Sequence, residues 1–327
     1  MASENGFDVL GIGNAIVDIF AHEDDEFLAL HGMPKNSMTL VDAERSAFLY
    51  GSMRPVAKMS GGSVANTVVC AAGLGSAAAF VGKVAADEFG IAFTADLRAA
   101  GVDFGAEVSS GLTGTACSLI VVTPDGHRTM NTYLGACVEL TAADVDTELV
   151  SRARVTCVEG YLFDSPPAKE AVLLAARTAR AAGHRVALTL SDSYCVERHR
   201  EEFRDFIEEH VDLVFGNEAE VVSLCETDGL PAALSALAER DLIAAVTRGA
   251  HGSVVLESGR AVEVPAETVA RIVDTTGAGD AYAAGFLHGL ARGLDLPSCA
   301  RTGSAAAAEV IGHLGSRPQA DLLLDEA

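Results

Sequence analysis

From residue 150 onward, short apolar runs alternate with helix-forming segments, and this alternation restricts the fold more than any other feature of the chain. Residues 155–160, 186–190 and 211–215 read as strands. Ser165-Pro166-Pro167 opens a helix, with Ser165 as cap and proline where its missing N–H costs nothing. A charged helix is expected over about 196–209. Repeated βα units of this kind build a parallel sheet with helices on both faces. Such sheets bind ligands at the carboxyl ends of their strands. Residues 7–13 and 78–84 read as further strands, and a helix over 87–100 is stopped by Gly101. At 327 residues the chain can hold one large α/β core plus an appendage.

The N-terminal half is less regular. Residues 19–57 read as irregular, with the acidic cluster Glu23-Asp24-Asp25-Glu26 as a solvated face and 37–41 alternating like an exposed strand. Residues 113–134 predict a hairpin turning at Thr123-Pro124-Asp125-Gly126. A net charge of −23 argues against non-specific nucleic-acid binding, though a local site can still be positive. No apolar run reaches membrane-spanning length, and the acidic N-terminus lacks a signal-peptide pattern, so a cytoplasmic protein is expected. Seven cysteines without a C-x-x-C pair read as reduced, mostly buried thiols.

Two glycine-rich stretches carry the chemistry. Val273-Asp274-Thr275-Thr276-Gly277-Ala278-Gly279-Asp280 runs into a small-residue helix. A glycine turn opening a helix presents free N–H groups and the positive end of the dipole, a site for phosphate. Asp280 would repel phosphate unless it faces a hydroxyl losing its proton; as an isolated motif, it reads equally as an N-cap. The second stretch, from Ser60-Gly61-Gly62-Ser63 through Asn66 to Gly75, also feeds a small-residue helix. No P-loop motif is present, and Ile16 occupies the third-glycine position of the dinucleotide fingerprint.

Together the two stretches resemble the signatures of the PfkB (ribokinase-like) family of sugar and nucleoside kinases, and the detail around them, including residues 51–60, is most similar to its adenosine kinase branch. The likeness covers nearly the whole chain. It implies one α/β domain over 1–327: a central, mostly parallel sheet with helices on both faces, plus a small β-sheet lid inserted at about 15–57 and 105–135. It implies an ATP-dependent phosphotransferase acting on the 5′-hydroxyl of a purine nucleoside, adenosine first. A ribokinase-like sugar acceptor, inosine or guanosine is the alternative, since Thr276 stands where many adenosine kinases carry Asn.

The resemblance also assigns residues. Asn14, Asp18, Gly61, Gly62 and Asn66 would surround the ribose, with Leu40, Leu134 and Tyr161 lining a purine slot. Asp280 would be the base, the amides of Gly277, Ala278 and Gly279 would stabilise the phosphoryl group, and Arg128 would close from the lid. Asn217, Thr247, Gly249 and Gly252 would border ATP, and Glu220 would handle Mg²⁺ through water. K⁺ near the 274–280 loop is implied too, as is a monomer or homodimer with a small-molecule partner. Without the family, plainer structural roles stay open: Asp18 tethering a loop, Asn66 as a surface amide, Arg128 as a cross-strand charge, Asn217 and Glu220 as a capping box, and 247–252 as a simple turn. A nucleoside-binding regulator is the non-enzymatic alternative. An intact Asp280 argues against it, because a sensor needs no base.

Overall fold

Valine, isoleucine and alanine fill the central strands because both sheet faces are covered. In the computed structural model, residues 6–319 other than 106, 110 and 112 are described. The 8-stranded sheet runs Arg260–Val264, Ser253–Glu257, Ile243–Thr247, Leu213–Asn217, Arg185–Thr189, Ala153–Glu159, Phe7–Ile12, Ala78–Val81. Strands from Ile243–Thr247 to Ala78–Val81 are parallel, and the hairpin at the other edge is antiparallel. Alternate side chains enter different cores. Leu10 and Ile12 pack with Val172, Ala176 and Phe203 on one face. Val9 packs with Val64, Val68 and Phe286 on the other. The expected layered α/β architecture is thus present.

A separate 5-stranded sheet runs Met38–Leu40, Arg128–Tyr133, Ala116–Val122, Ile16–His22, Pro55–Gly61. Residues 19–57, read from sequence as irregular, are therefore largely structured. Strand Ile16–His22 follows Phe7–Ile12 after a short Gly13-Asn14-Ala15 break that its apolar composition hides. Helices Asp25–Leu30 and Ala43–Ser52 are short but capped by Asp24 and Asp42. The acidic cluster is accordingly more than a solvated face: Asp24 caps, and Asp25 pairs with Lys35 at 2.7 Å. Residues 78–84 split, because Lys83–Ala85 pairs with Glu107–Ser109 away from the central sheet. Ser165 occupies a cap position without a capping bond; its hydroxyl donates to Val138 O at 3.3 Å. All seven cysteines are free, and Cys225 is the least buried of them.

Helix Ala278–Ala291 crosses Leu296–Val310 at glycine contacts. A Cβ on Gly285 would lie 2.5 Å from Thr302 O, and one on Gly303 would lie 2.6 Å from Tyr282 O. Backbone atoms cannot retreat as a flexible side chain can. Gly285→Ala is therefore expected to destabilise the fold by about 1–3 kcal/mol, the usual cost of overpacking. Urea unfolding of the purified variant checks this. A midpoint equal to that of the parent would show that the helices separate freely.

Candidate active site

The carboxyl ends of the parallel strands and the start of helix Ala278–Ala291 build one constellation. Gly277 takes the left-handed conformation, φ 78°, at the helix N-cap. A Cβ there would stand 2.6 Å from Ser316 Cβ, so the turn admits only glycine. Asp280 lies within the first helical turn and is not the cap. Its Oδ1 accepts from Ser63 Oγ at 2.7 Å and its Oδ2 from Asn66 Nδ2 at 3.2 Å. Burial pushes its carboxyl up to about 6, against the pull of those two donors. The two glycine-rich stretches thus meet at one carboxylate. Ala278 directs its N–H to Thr275 O at 3.2 Å, so this amide is occupied within the turn.

Asp18 projects from strand Ile16–His22 beside the glycine pair. A Cβ on Gly61 would fall 2.4 Å from Asp18 Oδ2, and one on Gly62, at φ 94°, would fall 2.2 Å from Asn14 O. Both glycines let neighbouring groups approach. Burial pushes the Asp18 carboxyl up to about 7, with Arg317 and Arg128 opposing and Asp280 and Asp274 reinforcing the rise. Asp18 sits within a strand and, among the described residues, tethers no loop.

Asn14 is held by a residue that sequence reasoning missed. Glu159, fully buried at the end of strand Ala153–Glu159, accepts from Asn14 N at 2.9 Å and Val64 N at 3.0 Å. Burial pushes its carboxyl up to about 7, and the two amide donors pull it back. The signal was available: an acidic residue closes a mostly apolar strand.

Arg128, on strand Arg128–Tyr133, reaches across to the glycine loop. Its Nη1 lies 2.5 Å from Asp274 Oδ1 and donates to Thr276 Oγ1. It is therefore more than a cross-strand surface charge. Asp274 also accepts from Thr276 N at 2.8 Å and Gly315 N at 3.1 Å, and these donors hold its carboxyl below the ordinary value despite burial. Sequence reasoning quoted Asp274 without giving it a role. Arg317, which no motif flagged, donates from Nε to Asn66 Oδ1 at 3.1 Å.

Other expected site residues occupy the same sheet end. Asn217 and Glu220 form a reciprocal capping box at helix Glu218–Cys225, with Glu220 Oε1 accepting from Asn217 Nδ2 at 2.6 Å. Burial raises the Glu220 carboxyl. Thr247 ends its strand, and Gly249 and Gly252 take positive φ around a 3₁₀ turn. The purine-slot trio is less coherent. Leu40 is 57% exposed on an edge strand paired with Thr132, two residues before Leu134. Tyr161 packs against the core and donates its hydroxyl to Asp192 at 2.6 Å.

Among the described residues, no cluster of three or more His, Cys, Asp or Glu side chains could hold a metal. Both oxygens of the Glu220 carboxylate are taken by Asn217, one by its backbone N–H and one by Nδ2. No single described helix is long and apolar enough to cross a membrane.

The sequence pattern of the pfkB family carbohydrate kinases matches residues 52–321. An adenosine kinase structure from Sinorhizobium meliloti is 49% identical, with TM-score 0.91, covering 97% of this chain and 98% of that one. A probable sugar kinase structure from Rhizobium etli is 47% identical, with TM-score 0.91, covering 98% of this chain and 97% of that one. Adenosine kinase 2 of Arabidopsis thaliana is 28% identical over 345 residues, 96% of this chain and 97% of the relative.

The site carboxylates set an expected pH dependence of stability. Asp18, Glu159 and Asp280 hold their protons more tightly when folded, so their contribution falls as pH rises from the ordinary carboxylate range to about 7. Asp274, Asp87 and Asp164 are depressed, so theirs is lost as pH falls below that range. Thermal unfolding should therefore show maximal stability near about pH 5. Glu159→Gln should flatten the limb above it while costing about 1–3 kcal/mol, because its amide nitrogen cannot accept an N–H. A limb of equal slope in this variant would rule out Glu159 as its source.

Proposed function

The chain belongs to the pfkB family of carbohydrate kinases, and from that premise we propose that it transfers the γ-phosphoryl group of ATP to the 5′-hydroxyl of a purine nucleoside, adenosine before others. The observation that carries the kinase reading is Asp280, a carboxylate in the first turn of a helix, clasped by Ser63 and Asn66 from the other glycine stretch. The 49% identity to the S. meliloti adenosine kinase supports the choice of acceptor.

In this reading, Asn14, Asp18, Gly61, Gly62 and Asn66 hold the ribose. A carboxylate at Asp18 accepts two O–H donors from a diol, which fixes the ring and aims the 5′-hydroxyl at Asp280. As the hydroxyl oxygen bonds to phosphorus, the bridging oxygen leaves with ADP and the hydroxyl proton passes to Asp280. The Gly277 and Gly279 amides and the helix dipole face the charge in transfer, and the Ala278 amide joins them on release from Thr275. Asn217, Thr247, Gly249 and Gly252 border the nucleotide. Mg²⁺ would neutralise phosphate charge, with Glu220 in its outer shell; K⁺ beside the 274–280 loop remains an implication of the family.

The small sheet acts as the lid, drawn from residues about 15–57 and 105–135. Arg128 moves with it, exchanging Asp274 for phosphoryl oxygens, and Leu40, Leu134 and Tyr161 flank the base. Closure excludes water that would otherwise hydrolyse ATP. A second reading, a ribokinase-like sugar or inosine/guanosine acceptor, is favoured by Thr276 and by the R. etli relative.

ADP release with Mg²⁺-ATP and adenosine, inosine, guanosine, ribose or fructose decides between them. Strongest turnover with adenosine is expected; strongest turnover with a free sugar moves the protein to the sugar kinases. ATP turnover that depends on an added nucleoside excludes the binding-only regulator, and silence with every acceptor would favour it. Asp280→Asn should stay folded and bind nucleoside while losing about 10²–10⁴-fold in kcat. Its parent should show an acid limb near pH 6, where Asp280 takes up its proton. Near-parental turnover in this variant would sink the mechanism.

A further inference from the structure

The C-terminal segment after helix Leu296–Val310 returns to the site and is fastened to the same loop that carries Asp280. Val273 N donates to Ile311 O at 2.8 Å, and Gly315 N donates to Asp274 Oδ2 at 3.1 Å. Ser316 lies against Gly277, whose missing Cβ leaves the necessary space. The next residue, Arg317, directs Nε to Asn66 Oδ1 at 3.1 Å and sets its guanidinium 6.0 Å from the Phe93 ring centroid. Its Nη2 is buried without a hydrogen-bond partner among the described residues. Burial lowers its pKa to about 10, opposed by Asp96, Cys70 and Asp18. A half-satisfied buried guanidinium is costly. Natural chains tolerate such costs chiefly where function needs them.

We propose that Arg317 is a positioning residue for phosphoryl transfer: through Asn66 it holds Asp280 in place. The proposal rests on the kinase reading above. It follows from donor chemistry. Guanidinium only donates, so Asn66 must turn its oxygen to Arg317 and its Nδ2 to Asp280. When Asp280 takes the hydroxyl proton, one of its oxygens becomes a donor. The Asn66 amide could then turn over, and the Arg317 bond prevents it.

The test compares Arg317→Gln and Arg317→Lys with the parent, using adenosine and Mg²⁺-ATP across about pH 5–9. Gln lacks the guanidinium's fixed geometry towards Asn66, so kcat should fall roughly tenfold, about 1.4 kcal/mol. Its acid limb should move upward, because Asp280 loses an oriented donor, while the KM for ATP stays unchanged. Lys, a single ammonium without the planar fork, should restore kcat and the limb only in part. Parental kinetics in the Gln variant overturn the proposal. So does an equal loss in both KM values with an unmoved pH profile, which marks a merely structural residue.

If the parent turns over no acceptor, the functional reading has failed, and thermal unfolding without substrate decides the positioning. Asn66 held towards Asp280 favours the ionised carboxylate, so the gap in Tm between parent and Arg317→Gln should open as pH rises through about 6. Asp280→Asn should close it. A gap independent of pH refutes the coupling.

Discussion

Glu159 is the interaction on which the rest depends. It lies with no exposure at the end of a central strand, and its two oxygens take the amides of Asn14 and Val64. One carboxylate therefore joins the end of strand Phe7–Ile12, the end of strand Ala153–Glu159 and the start of helix Ser63–Gly73. Gly13 belongs to the same device, because a Cβ there would fall 2.4 Å from Glu159 Oε2. The sheet positions strand ends to within the spacing of the ladder, but it does not position a helix that begins beyond its edge. A buried acceptor shared by two N–H groups does. Everything that approaches the candidate base from the second glycine stretch, Ser63 and Asn66 included, hangs from that helix start.

A second fixed point secures the other side. Asp274 gathers the small sheet through Arg128, its own loop through Thr276 and the C-terminal segment through Gly315. It stays charged because donors surround it, whereas Asp18 and Asp280 have fewer partners and are driven towards neutrality. Carboxylates of one chemical type are thus sorted by environment into charged anchors and groups whose charge burial disfavours. The sorting needs no unusual residue, only a difference in how many N–H groups point at each.

The layered fold was legible in the sequence because its signal is local: apolar runs spaced by helical segments report a covered parallel sheet. The motif residues were legible for the same reason. Asp280, Gly277, Gly61, Gly62 and Asn66 sit in two short stretches, and the structure brings those stretches together. Glu159 and Arg317 were not legible as partners, because each acts across a separation in sequence that no period records. The second strand was hidden because its neighbour is equally apolar. The capping box of Asn217 and Glu220 was read correctly as geometry, and that geometry, by occupying the Glu220 carboxylate, limits how it can meet a metal. Leu40, Leu134 and Tyr161 rested on rough alignment. Tyr161 shows the weakness of that route: its hydroxyl is already committed to Asp192.

The raised carboxylates also mark where burial costs stability. At neutral pH, Asp18, Glu159 and Asp280 each oppose folding, since burial disfavours the charge that solvent would support. A chain of net charge −23 gains nothing by concentrating more negative charge in its interior. The close glycine crossings and the two apolar cores must carry that load elsewhere. Neutral substitutions at Asp18 or Asp280 would relieve part of the strain; in the proposed reaction they would also remove the acceptor of a diol or of a proton. Arg317 is a cost of the same kind, a buried cation with one nitrogen unpartnered among the described residues, and its bond to Asn66 orients the amide that meets Asp280. On the proposed reading, function is concentrated at the positions where the folded state is least comfortable.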